Sequence, residues 1–368
     1  MNNRGFIDKY GVFVTITVAI LGVTLFALPK LMMEYSGTNG WIVTIIAGVI
    51  AWGIAYMIYT VIAMNNYNRF DIILKDSFGN VLSKIIIVIF IFYTIVIISS
   101  ELRAFVEMIK MYLLEKTPLE LIMIIFILTG VSLIRGDLRV LIAFNGIAFW
   151  VMIIPIIVSM LVSIGEGDLT NILPLIQASN MDYLKGIQTA LFAFAGFEIL
   201  FLIIPYVKNQ KESKKVLKWS FLLIIFVYCI AILVTVAMFS TSQTKILFWP
   251  TITLIRSVEL PGSLIEHWEG VVMTFFIMFY FTTFVNSFYF TADLLKNAFK
   301  LDDVKLTTII ITPVIFIVAL LPSNISQVRE LSRQLLPIFA GAFLIVLPVI
   351  LFIIAIIKRR DKNEENKG

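Results

Sequence analysis

Apolar runs of about 20 residues recur along nearly the whole chain, and each is long enough to cross roughly 30 Å of hydrocarbon as an α-helix. That repetition leaves little choice of fold. Of 368 residues, 60% are hydrophobic and only 14% are charged, about half the charged share of a soluble domain, and the mean hydropathy is +0.98. No soluble core hides so much apolar surface, so the chain is expected to be an all-α, polytopic membrane protein.

Charges and Pro/Gly clusters divide the runs into about ten transmembrane helices, near 9–29, 41–64, 82–113, 118–134, 140–164, 184–206, 216–240, 269–296, 306–321 and 334–357, within a single membrane domain, 1–368. The first run ends in "ALPKLMMEY", with no small-residue cleavage pattern, and reads as a retained helix rather than a signal peptide. The longest connection, about 241–268, is expected to form a partly ordered re-entrant or surface segment. The end, 358–368, "KRRDKNEENKG", reads as a basic anchor followed by a disordered cytoplasmic tail.

With the N-terminus inside, the cytoplasmic segments hold 20 of the 29 Lys and Arg, the outer segments hold 8, and Arg103 lies within a span. Positive loops stay cytoplasmic, so both termini are expected there. Basic residues at the membrane edge are attracted by anionic lipid, which accounts for a pI near 9.1 without a nucleic-acid partner. One His (His267) and one Cys (Cys229) leave no metal-ligand cluster, disulfide framework or Cys/His pair. Neither enzymatic chemistry nor a metal or cofactor is expected.

Two spans are interrupted in matching positions. The first contains "AILGVTLFALPK", with Gly22 ahead of Pro29; the sixth contains "FAFAGFEILFLIIPYVK", with Gly196 ahead of Pro205. Each opens a block of five spans, about 9–164 and 184–357, and the charge count sets the blocks in opposite senses: a 5+5 inverted repeat. Such paired interruptions point to a mid-membrane binding site in transporters, because freed backbone groups in hydrocarbon must face protein or a polar cavity. Gly and Pro also mark simple kinks and close packing in membrane helices.

The stretch "IISSELRAFVEMIKM", 97–111, carries Glu101, Arg103, Glu107 and Lys110 inside an apolar span. Arg103, Glu107 and Lys110 share one helical stripe and can neutralise one another. Glu101 lies roughly 200° from Arg103, on the face of Thr94 and Ile97, where that ladder does not reach it. Glu198, two residues after Gly196, has the same need for a partner. Either can receive a ligand's ammonium group, hold a proton, or pair structurally with another helix. In the eighth span Thr282, Thr283, Asn286 and Ser287 cluster among aromatics, as interhelical glue or as one wall of a pocket.

"ELRAFVEMIKMYLLEKTP" at 101–118, "AGFEILFLIIP" at 195–205 and "FWPTITLIRSVELPGSLIEHWE" at 248–269 closely resemble the spore germinant receptor B subunit family, over essentially all ten spans. The resemblance implies the LeuT-type fold of the amino acid/polyamine/organocation (APC) transporter superfamily, with broken helices 1 and 6. It further implies a spore inner-membrane complex with an A subunit and a lipoprotein C subunit, and detection of a small nutrient, often an amino acid, as the trigger for germination. Carried over by position, the ligand region falls at Gly22, Val23 and Thr24, at Ile97 with Glu101 beside it, at Gly196, Phe197 and Glu198, and at Thr283 and Ser287. The superfamily's frequent Gly-x-Gly at the first break is here Gly22-Val23-Thr24, and Thr24 narrows access to the backbone. A secondary amino-acid transporter using a proton on Glu101 or Glu198 is the competing expectation, and an ion or water conduit a third.

Overall fold

Asp8 starts the first helix. Its carboxylate accepts the Gly11 N–H at 2.7 Å, an N-cap that replaces one of the missing helical partners, and α1 (Lys9–Ile20) follows. The computed structural model describes residues 5–22, 24–165, 167–173, 180–257 and 268–365. Nearly every side chain of α1 is buried, the signature of a helix enclosed by protein on all sides.

After a break come α2 (Thr24–Ser36), α3 (Gly40–Met64), α4 (Phe70–Tyr112), α5 (Leu119–Ile134) and α6 (Leu138–Ile164). The second half repeats the interruption: α7 (Asn180–Ala193) stops, and the single turn α8 (Leu200–Ile203) resumes between two 3₁₀ turns. Then follow α9 (Ser213–Ile246), α10 (Pro250–Ser257), α11 (Trp268–Phe299), α12 (Val304–Leu320), α13 (Ile325–Ala340) and α14 (Leu347–Glu365), the last two joined by a π-helical stretch, Gly341–Val346. Helices are the only repeating elements among the described residues. One isolated parallel bridge pairs Ile7 with Val207.

The broken elements occupy the middle. α1 packs on α6, α9 and α11; α2 packs on α7 and α9; α4 lies along α11 and α12. Polar side chains join these helices where lipid offers no partner. Asn145 and Asn286, both fully buried, exchange amide hydrogen bonds of 2.8 and 3.0 Å, and Asn145 also donates to Thr15 at 3.2 Å. Between α11 and α4, Thr291 donates to Thr94 at 2.9 Å.

Among the described residues, five helical segments are long and apolar enough to cross a membrane unaided, and two further pairs qualify only when joined across bends of 43° and 116°. A 12-residue helix such as α1 rises about 18 Å, short of the hydrocarbon thickness, so length alone does not reproduce the ten expected crossings. Boundaries differ from the sequence reading in three places. α4 begins at Phe70, with Gly79 (φ +80°) kinking it at the expected start. The segment expected to be a loop from about 241 continues α9 to Ile246 past Ser240 (φ +59°) and then forms α10; its remainder, with His267, lies outside the described residues. The tail expected to be disordered from 358 is helical as far as Glu365, since Lys, Arg and Glu are good helix formers, and Lys358 donates from Nζ to the Asp76 carbonyl.

Candidate functional site

The first break begins where Gly22 N–H turns back to the Ile20 carbonyl at 2.9 Å. The carbonyl of Val18, which that N–H would serve in a continuous helix, is thereby freed. Thr283 from α11 supplies the missing donor, its hydroxyl 3.2 Å from the Val18 oxygen, while the Thr282 hydroxyl, 3.4 Å from that oxygen, lies nearer the Phe279 carbonyl at 2.9 Å. Gly22 is needed for space: a Cβ there would sit 2.7 Å from Thr283 Oγ1. Thr24 then opens α2, and Val23 lies outside the described residues.

The second break turns on Gly196, whose φ of +113° belongs to glycine alone. A Cβ at Gly196 would also meet the Ala19 carbonyl oxygen at 2.6 Å, so the two breaks are in direct backbone contact. The freed Gly196 N–H donates to Glu198 Oε2 at 2.8 Å. Phe197 is buried in the core.

Tyr228 of α9 ties the breaks together. Its hydroxyl lies 2.8 Å from the Ala193 carbonyl and 3.1 Å from the Ile20 carbonyl, the last residues of α7 and α1, and its one proton serves one oxygen at a time. A lone tyrosine in the apolar run "IIFVYCIAILV" was the available sequence signal, and it is weak, because an aromatic in a membrane helix needs no special explanation.

Between the breaks, α4 and α11 is a cavity lined by Ala19, Ile97, Gly196, Glu198, Ser287 and Phe290, among others. Ile97, Gly196, Glu198 and Ser287 were expected at the ligand region. Gly22 and Thr283 are packed on each other beside it, and neither Thr24 nor Phe197 belongs to the lining. Glu198 is the one charged residue in that lining among the described residues. Glu101, one helical turn from Ile97, is close enough to Glu198 for the two carboxyls to act on each other electrostatically. The cavity holds about 20 Å³, room for a single water and too little for an amino acid.

The other expected charges are engaged elsewhere. Arg103, 6% exposed, pairs with Glu107 at 2.9 Å and donates from the same Nη2 to the Ser323 carbonyl at 3.2 Å, fastening α4 to the turn before α13. Lys110 is not joined to this pair. The eighth-span cluster divides by role: Thr282 and Asn286 bind neighbouring helices, Thr283 abuts Gly22, and Ser287 faces the cavity.

α10 packs against α2. Pro29 has no N–H for the Leu25 carbonyl, and Thr251 of α10 fills that place at 3.1 Å. Tyr112 at the end of α4 meets α10 from the other side, with Trp249 edge-on at 6.1 Å and Arg256 over its ring at 5.1 Å.

Two broken helices wrapped by an all-helical membrane scaffold define a transporter-type fold. The structure of Mhp1, a nucleobase-cation-symport-1 family transporter in a closed conformation with bromovinylhydantoin bound, superposes with a TM-score of 0.69 over 95% of this chain and 78% of that one, at 14% identity. The chain belongs to the spore germination protein family, whose pattern matches residues 6–328. It is 31% identical to spore germination protein A2 of Bacillus subtilis (strain 168) over 342 residues, 93% of each chain. It is 25% identical to spore germination protein YndE of the same organism, over 94% of each, and 24% identical to GerQB of Bacillus cereus, over 74% of this chain and 75% of that one.

Proposed function

We propose that this chain is the nutrient-sensing membrane subunit of a spore germinant receptor, and that a small germinant carrying an ammonium group, an amino acid, occupies the site between the two helix breaks. The observation that carries this reading is the meeting of the two helix breaks beside one small interior cavity lined by Ala19, Gly196 and Glu198 in a spore germination protein. The Glu198 carboxylate in the cavity wall favours a cation. No positive side chain lines the cavity among the described residues, so the ammonium group is the anchoring end of the ligand.

A cavity of water size implies that the breaks part when ligand enters. Binding biases only states that differ in affinity, and here the closed state has none to offer. The opened state is then read by the A subunit and the lipoprotein C subunit, through the outer end of α4 or through α10. On this reading the membrane is the spore inner membrane, both termini face the spore core, and the two five-span blocks are inverted repeats.

The transporter-type fold supports a second reading, a proton-coupled amino-acid transporter using Glu101 or Glu198. Reconstituting the purified chain in liposomes with labelled amino acids separates the two. The sensor reading expects saturable binding without accumulation; sustained concentrative uptake by the isolated chain rejects it in favour of transport.

A further inference from the structure

At the end of the bundle where α1 begins, a cleft of about 740 Å³ opens between residues 5–8, the first turn of α1 and α6. Its walls are fixed. Phe6 and Ile7 donate to the Tyr206 carbonyl at 2.9 and 3.1 Å, and Lys208 N–H returns to the Ile7 carbonyl at 2.9 Å, which secures the N-terminal strand to the exit of the sixth span. Tyr10 donates to the Gly146 carbonyl at 3.0 Å and forms the floor.

The cleft is polar at one end and apolar at the other. Arg139, held over the Phe6 ring at 4.9 Å, and Lys208 stand at its mouth, both exposed and neither in an ion pair among the described residues. The one carboxylate in the lining, Asp8, is committed to the α1 N-cap. From Arg139 the lining follows α6 through Ile142 and Ala143 to Ile147, which is 67% exposed, a run of about 12 Å along the helix. A soluble anion has no use for the apolar arm, and an uncharged lipid has none for the two cations. On the orientation expected from the Lys and Arg distribution, this end of the bundle faces the cytoplasmic side, where anionic headgroups concentrate.

We infer that this cleft binds an anionic phospholipid, its phosphate between Arg139 and Lys208 and an acyl chain along Ile142, Ala143 and Ile147. The bound lipid would bridge the inner ends of both broken spans and the scaffold helix α6. This assignment is independent of the nutrient site.

The test uses the full-length chain purified in detergent. Phosphatidylglycerol with a photoactivatable acyl chain is expected to label the peptide containing residues 139–147; labelling confined to other helices overturns the site without requiring any variant. Native mass spectrometry is expected to show phosphatidylglycerol retained in preference to phosphatidylcholine. The double variant Arg139→Gln/Lys208→Gln should lose that preference on the order of 30-fold, from about 1 kcal/mol per basic residue at a membrane surface, whereas Lys84→Gln, an exposed lysine elsewhere on α4, should keep it. Retention unchanged in the double variant contradicts the assignment. So does stabilisation by inorganic phosphate equal to that by phosphatidylglycerol, which would mark a free-anion site.

Discussion

Gly196 carries two constraints at once, a φ of +113° and a backbone carbonyl 2.6 Å from where a Cβ would be. Gly196→Ala should therefore cost about 1–3 kcal/mol through backbone strain alone, seen as a lowered thermal midpoint in detergent and a weakened nutrient response. Gly22→Leu would drive a side chain into Thr283 and fill the space at the first break that a ligand would need; the expected result is a membrane-inserted chain with no nutrient response, checked by membrane fractionation and a germination assay. Glu198→Gln keeps shape and the hydrogen bond from Gly196 while removing charge. It should weaken recognition of ammonium-bearing germinants and leave the thermal midpoint nearly unchanged; equal sensitivity to germinant in this variant would make Glu198 a purely local cap. Tyr228→Phe leaves the Ile20 and Ala193 carbonyls without their hydroxyl donor, at about 1–3 kcal/mol, read by thermal unfolding in the same detergent.

At the scale of elements, the breaks at Gly22 and Gly196 and the kink at Pro29 each have a supplier for backbone groups they free. Thr283 serves Val18, Tyr228 serves Ile20 and Ala193, and Thr251 serves Leu25 below Pro29. The interruptions themselves were legible, because Gly22, Pro29, Gly196 and Pro205 stand out in apolar runs. Their suppliers were only partly legible: the eighth-span hydroxyls were noticed as a cluster, while Tyr228 and Thr251 act from helices remote in sequence, and no local pattern marks a residue whose partner is 35 or 226 positions away. Charge reading had the same limit. Arg103 and Glu107 pair at their i,i+4 spacing, as the sequence implies, but Arg103's reach to the Ser323 carbonyl is a tertiary contact. Thr251→Val should release α10 from α2, and faster proteolysis or hydrogen exchange across 250–257 than in the wild type is the measurement that checks it; unchanged protection would mean that the aromatic contacts of Tyr112 hold α10 without that hydrogen bond.

For the whole molecule, hydropathy alone established a helical membrane protein, and the shape of its fold agrees with a known transporter. What hydropathy does not fix is the number of crossings, because α1 and α5 are too short to register as spans, and α7 registers only when joined to the turn around α8 across its break. The account's central claim is that those breaks enclose a small nutrient. Equilibrium binding of labelled amino acids to the purified chain in lipid nanodiscs, measured side by side for the wild type and Gly22→Leu, tests it most directly. The account predicts saturable binding of at least one amino acid by the wild type and none by the variant; equal binding by both would contradict it.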